Sequence, residues 1–454
     1  MTFVRTIAAG LALLLAASPG YADVIVIDGV TLIDGRGGPA EPNMTVVIKD
    51  GKFSQIGRDK TVGASDAVHV DGRGRFLIPG LMDMHVHLRG GIELSREGLR
   101  KAAINRDEGV AALHSYLYSG VTSIFDAGNN PEFIFELRDA ERSGRLLAPR
   151  IFATGGIATY PGSHGSGPGS TDLRAWPEAQ AALDAHLARK PDLLKLTLEE
   201  RGWGNRPMIP MLDPDVMRKV VEYTNDRGIR TVVHVSSELR ARQAIFAGVD
   251  ALAHPVIQGP VSEEFLKLMG AKRIPMVTTL TIGDNYSRLV EHPEYLDQPL
   301  YRASLSKQEI AMLQTERRAQ WQDNRWTWWM KLMTPVAQDN VRKLYASGAI
   351  LVVGTDQTSG PAVHRELELL QSAGIPAAAI IRMATLNGAI LLGKESDLGS
   401  IEAGKMADAV LLDADPTSDI NNTKRIALVI KNGKVVKESQ LRLAGGPVVD
   451  RKIN

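Results

Sequence analysis

Six side chains able to ligate a metal, His85, His87, Lys195, His234, His254 and Asp356, stand in or at the ends of short apolar runs, and no other feature restricts the fold as much. In Leu81-Met82-Asp83-Met84-His85-Val86-His87 the two histidines are two residues apart, so on an extended strand they share a face and can grip one ion. Lys195 is the one charged residue of Leu193-Leu194-Lys195-Leu196-Thr197-Leu198. His234 ends Thr231-Val232-Val233, His254 closes Val249-Asp250-Ala251-Leu252-Ala253, and Asp356 follows Ile350 to Thr355. Residues at the carboxyl ends of parallel strands converge on one face of a (β/α)8 barrel, where its active sites are built.

The remainder of the chain supports that architecture. Apolar strand-like runs near 79–87, 122–126, 150–154, 192–198, 230–235, 250–254, 276–281 and 350–355 alternate with helical patterns, the signature of parallel βα units. Eight such strands close a barrel, expected over residues 79–393. Before it, Val24 to Ile33 and Met44 to Ile56 alternate apolar and polar residues around Asp50-Gly51, a hairpin turn. After it, Asn432-Gly433 sits between Val429-Ile430 and Val435-Val436 in the same way. Neither terminal piece holds enough strands for a sheet of its own, so residues 23–78 and 394–454 are expected to build one small β-sandwich together.

Residues 1–22 read as a secretory signal peptide, with Arg5 as its positive start, an apolar run from Ile7 to Ala17 and small residues at Gly20-Tyr21-Ala22. That run is shorter than the roughly 20 residues of a membrane span. The mature chain is expected to begin near Asp23, in the periplasm or secreted, without contact with the membrane once the leader is removed. The chain has no cysteine, which rules out disulfides and thiolate metal ligands. A net charge of +1 without a basic stripe argues against nucleic acid as a partner.

The stretch 283–346 is far too long for an ordinary βα connection. It holds Trp321, Trp326, Trp328 and Trp329. Two readings stay open: a helical insertion packed against the barrel or against a second copy in a homo-oligomer, or a lid over substrate.

The order HxH, Lys, His, His, Asp resembles that of the amidohydrolase superfamily, and within it is most similar to the imidazolonepropionase-related and prolidase-like groups. The resemblance runs from Asp23 to about Lys437. It implies two divalent ions, Zn2+ first among them. His85, His87 and Asp356 would hold one ion and His234 and His254 the other, with a carbon dioxide-derived carbamate on Lys195 bridging them. A lysine among apolar residues is biased by desolvation toward the neutral amine that takes up carbon dioxide; the competing reading is a lysine paired with a buried acid beside a single metal. The implied reaction is hydrolysis of an amide or cyclic amide C–N bond in a small-molecule, peptide-like or N-acyl amino acid substrate. A metal-bound hydroxide would be the nucleophile and Asp356 the proton shuttle.

The glycine-rich stretch Thr154 to Gly167 follows the third strand, and in prolidase-like relatives a histidine of such a loop touches the substrate carbonyl oxygen; His164 is the candidate here. Prolidase-like dipeptidases also carry a tyrosine shortly after the fifth-strand histidine to bind the substrate carboxylate. This chain reads His234-Val235-Ser236-Ser237-Glu238, so that recognition does not carry over. His69, His114, His186, His292 and His364 read as packing or surface residues. A lactonase or phosphotriesterase could use the same site, and a periplasmic binding protein would need no acid/base such as Asp356.

Overall fold

A computed structural model describes residues 24–58, 67–94, 100–102, 104–204 and 206–446. The expected signal peptide and the start near Asp23 lie outside the described residues, as does the end of the C-terminal segment. Among the described residues no helix is long and apolar enough to cross a membrane.

Strands fall on each of the eight expected stretches: Leu81–Val86, Val121–Asp126, Arg150–Ala153, Leu193–Thr197, Arg230–His234, Ala251–Ala253, Met276–Val277 and Leu351–Val352. They are almost wholly buried, which is why they read as continuous apolar runs and not as alternating ones. The first three pair in parallel as one sheet, and the other five pair in parallel in a second. Main-chain bonds join the sheets at both edges. Asp192 N donates to Ala153 O across 2.9 Å, and at the other edge Met84 N donates to Val353 O (3.0 Å) and Asp356 N to His85 O (2.7 Å). Helices follow the strands, giving an α/β fold with parallel sheets, consistent with a (β/α)8 barrel.

Strands between Ile25 and Pro79 and between Ala409 and Val435 form one further sheet of eight strands. Phe76–Pro79 is the seam: it runs parallel to Ile25–Leu32 and antiparallel to Ala409–Leu412, with Leu77 opposite Leu411. Alternation along these strands sends successive residues to different cores. Leu77 and Leu411 join the sheet's own cluster with Ile27, Val46 and Ile430, while Ile78 and Val410 face the large core of the parallel strands and their helices. Both hairpins turn at the residues the sequence predicts. Asp50 and Gly51 have φ of 53° and 78°, and Asn432 and Gly433 50° and 71°, the left-handed pair that a two-residue turn between twisted strands requires.

The stretch 283–346 is helical, ending in the long helix Arg325–Ala346. Trp326 and Trp329 pack against the large core, Trp321 packs in a satellite cluster with Leu289 and Tyr295, and Trp328 stays 64% exposed.

Candidate metal centre and active site

The two histidines of the first strand do share a face: their ring centroids are 5.5 Å apart. His85 is buried, and its Nε2 lies 3.2 Å from Lys195 Nζ and 3.8 Å from Asp356 Oδ1. His87 Nε2 lies 3.3 Å from the same carboxylate oxygen. His254, at the end of the sixth strand, comes within 4.5 Å of the His85 ring and 4.6 Å of the His234 ring. Five separate strands and the turns that follow them therefore deliver the six expected groups to one place, and ligand atoms of His85, His254 and Asp356 all lie within 4.8 Å of one another. His164 reaches the same cluster. Its ring stacks on His234 at 4.1 Å, and its carbonyl accepts from Thr197 Oγ1 at 2.8 Å. The glycine-rich loop thus folds inward, and the other five histidines lie elsewhere in the molecule.

Two of these residues are held in strained backbone. His254 has φ of 77° and Asp356 of 53°, left-handed conformations that side-chain-bearing residues seldom adopt and that persist only where the surroundings enforce them. Asp356 N donates to His85 O, and the preceding residue is tied down by Asp83, whose carboxylate accepts from Thr355 N (3.0 Å) and Thr355 Oγ1 (2.7 Å). Burial pushes that acid up to about 7. Asp83 was missed in the sequence, although it lies two residues before His85 and so shares the histidines' face.

The arrangement fits a divalent ion of the kind bound by nitrogen and oxygen. His87 Nδ1 is 2.7 Å from Gly128 O and His254 Nδ1 is 2.8 Å from Thr279 Oγ1, so each ring is anchored through one nitrogen and presents Nε2 to the centre. His234 Nε2 and His85 Nδ1 are buried without a hydrogen-bond partner, a costly condition that an ion would relieve at His234. Burial above all, with the neighbouring Lys195 and histidine charges, holds His85, His234 and His254 well below the usual imidazole range, keeping them neutral as metal ligands must be.

A second missed acid faces the same nitrogen. Glu199 is 1% exposed, accepts from Ser236 Oγ, and has Oε2 3.5 Å from His234 Nε2. Gln258 Nε2 donates to that serine across 2.6 Å. Ser236, where the prolidase-like tyrosine would be sought, is thus committed to an internal network.

The neutral histidines set a pH dependence. Burial also holds His114 and His186 low, making five depressed imidazoles. The unfolded chain protonates its histidines as pH falls through about 6.5, whereas the folded chain resists, so their stabilisation is complete above that pH and lost below it. A slope of about 1.4 kcal/mol per pH unit is the upper limit for each, reached where the unfolded chain holds the proton and the folded chain does not. Asp83, Glu141 and Glu366, raised by burial, act in the opposite sense but are fewer. The melting temperature of the metal-free protein should therefore fall between pH 7 and pH 5; a flat or rising profile would mean the histidines are accessible to protons.

Fold and site together define an α/β protein with a histidine-rich centre at the carboxyl ends of its parallel strands. The sequence model of the amidohydrolase family matches residues 76–436, and the chain belongs to that family. It is 28% identical over 213 residues to the dihydroorotase of Anaeromyxobacter dehalogenans strain 2CP-C, a match covering 47% of this chain and 42% of that protein. It is 23% identical to the imidazolonepropionase of Geobacillus sp. strain WCH70 over 444 residues, 87% of this chain and 91% of that one. A solved Xaa-Pro dipeptidase with bound methionine shares the fold with a TM-score of 0.72 at 24% identity, covering 91% of this chain and 100% of the other.

Proposed function

We propose that this chain is an exported metal-dependent amidohydrolase that cleaves an amide or cyclic amide C–N bond in a peptide-like or N-acyl amino acid substrate. The observation that carries the reading is the convergence of His85, His87, Lys195, His234, His254 and Asp356 on one place, with His234 Nε2 and His85 Nδ1 buried there without a hydrogen bond. In the architecture we infer, residues 79–393 close as a (β/α)8 barrel, and residues 23–78 and 394–454 form the sandwich. His85, His87 and Asp356 would hold one divalent ion and His234 and His254 the other, with Lys195 as its carbamate between them. Bound ions of this kind polarise a carbonyl and make water nucleophilic at neutral pH.

The chain's own groups supply the rest. Asp356 takes the proton of the attacking water at a carboxylate oxygen and returns it to the leaving nitrogen. His164, stacked on His234, donates to the substrate carbonyl oxygen as negative charge develops there. The matches to a dihydroorotase and an imidazolonepropionase support a carbon–nitrogen bond as the target.

Chelation is expected to abolish turnover and Zn2+ to restore it on a panel of amides, cyclic amides, lactones and organophosphates. Full activity of metal-free protein would end the proposal, and restoration on lactones or organophosphates alone would move the reaction to ester or phosphorus centres. Export carries its own test. Amino-terminal sequencing should find Asp23 or a close neighbour first; Met1 retained on a cytoplasmic enzyme would overturn the assignment.

A further inference from the structure

Trp203 lies in a segment with three successive left-handed residues, Gly202, Trp203 and Gly204, at φ of 52°, 63° and 83°. Glycine accepts that conformation freely; an indole-bearing residue does not, and strain of this kind is kept where the surroundings over-determine it. The over-determining group comes from the Trp-rich helix. Trp329 Nε1 donates to Trp203 O across 2.9 Å, and a Cβ added at Gly204 would lie 3.1 Å from Trp329 Cζ2. The strained loop is thus clamped against an aromatic ring more than 120 residues away in the chain.

The clamp fixes the Trp203 indole over the centre. Its ring is 4.5 Å from that of His254 and 4.9 Å from that of His234, both edge-on, and 6.4 Å from that of His164. Trp203, Ile257, Leu280, Gly283 and Thr334 line a cavity of about 10 Å³. That is about the space of a single water. A second aromatic group stands in the Trp-rich stretch. Tyr286 packs on Trp321 at 4.5 Å and Trp326 at 6.2 Å, and the adjacent Asn285 donates to the side chain of Gln357, the residue after Asp356.

We propose that Trp203, fixed by Trp329, is a rigid wall beside the reacting carbonyl that selects substrates carrying an aromatic or flat conjugated group next to the scissile amide. This rests on the amidohydrolase reading and narrows its substrate class. A ring in that position meets the indole in the offset or edge-to-face geometry that aromatic pairs favour, a preference of about three- to tenfold over an aliphatic group. The Trp-rich insertion would then serve to brace the wall, and the wall would not open as a lid.

Matched ligands on the zinc-loaded protein test this without depending on turnover. Calorimetry should show benzohydroxamate preferred over acetohydroxamate by wild type, the ratio falling about three- to tenfold in Trp203→Asn. Asparagine tolerates the left-handed backbone, so this variant should fold. Trp203→Phe should restore most of the ratio. Trp329→Phe, which keeps a ring but loses the donor, should lower it less than Trp203→Asn, and zinc content by mass spectrometry should stay at the wild-type value in all three. The same ratio should appear in KM for benzoyl and acetyl amides sharing one leaving group. An unchanged ratio in Trp203→Asn, or a loss of zinc with it, overturns the wall. A protein that binds the hydroxamates with the expected ratios but hydrolyses no amide would overturn the amidohydrolase reading and leave the wall standing.

Discussion

Lys195→Ala is expected to lose one bound metal equivalent and nearly all turnover, more than the roughly 10- to 100-fold that follows loss of an outer-shell partner. The side chain is 2% exposed and lies 3.2 Å from His85 Nε2, so alanine leaves a buried gap where the proposed bridging oxygens would stand. Formate or acetate should enter that gap and restore part of both metal content and rate. Lys195→Arg should resist rescue, because the guanidinium keeps its positive charge, cannot form the carbamate and fills the space a small acid needs. Unchanged metal content with turnover within a few fold would make Lys195 structural. A single ion held by His85, His87, His234 and Asp356 would then replace the binuclear proposal.

The second large effect is expected at Asp356. Asp356→Asn should lower kcat by about 10²- to 10⁴-fold, the usual scale for removing a positioned acid/base. The fold should survive, because asparagine also tolerates left-handed backbone, which this position holds at φ of 53°. Asp356→Val should lose stability as well, since a β-branched residue is strained there. Circular dichroism melts beside steady-state rates separate the two effects. A fully active Asp356→Asn variant would remove the proposed proton shuttle.

The six candidate ligands were legible in the sequence because each lies in or at the end of a buried strand, where a polar residue among apolar ones is conspicuous. His164 was legible only through the glycine-rich loop around it. Nothing local marked Glu199: it follows Leu198 as one of two adjacent glutamates, and its burial against Ser236 and near His234 comes from how the fourth and fifth strands sit side by side. Trp203 gave a faint signal, a tryptophan between two glycines, without showing what the ring would touch.

The sequence by itself determined the order of the candidate ligands, the eight strand positions and both hairpin turns. Those depend on the pleat of a strand and the φ that a two-residue turn demands, properties settled within a few residues. Only the tertiary structure decided that Phe76–Pro79 would pair with Ala409–Leu412, that His254 and Asp356 would be held in left-handed backbone, and that Trp329 would fix Trp203 over the histidines. Each of these joins residues remote in sequence or imposes a conformation that local preference opposes. The burial and hydrogen bonding of the whole α/β core supply the free energy that local preference does not.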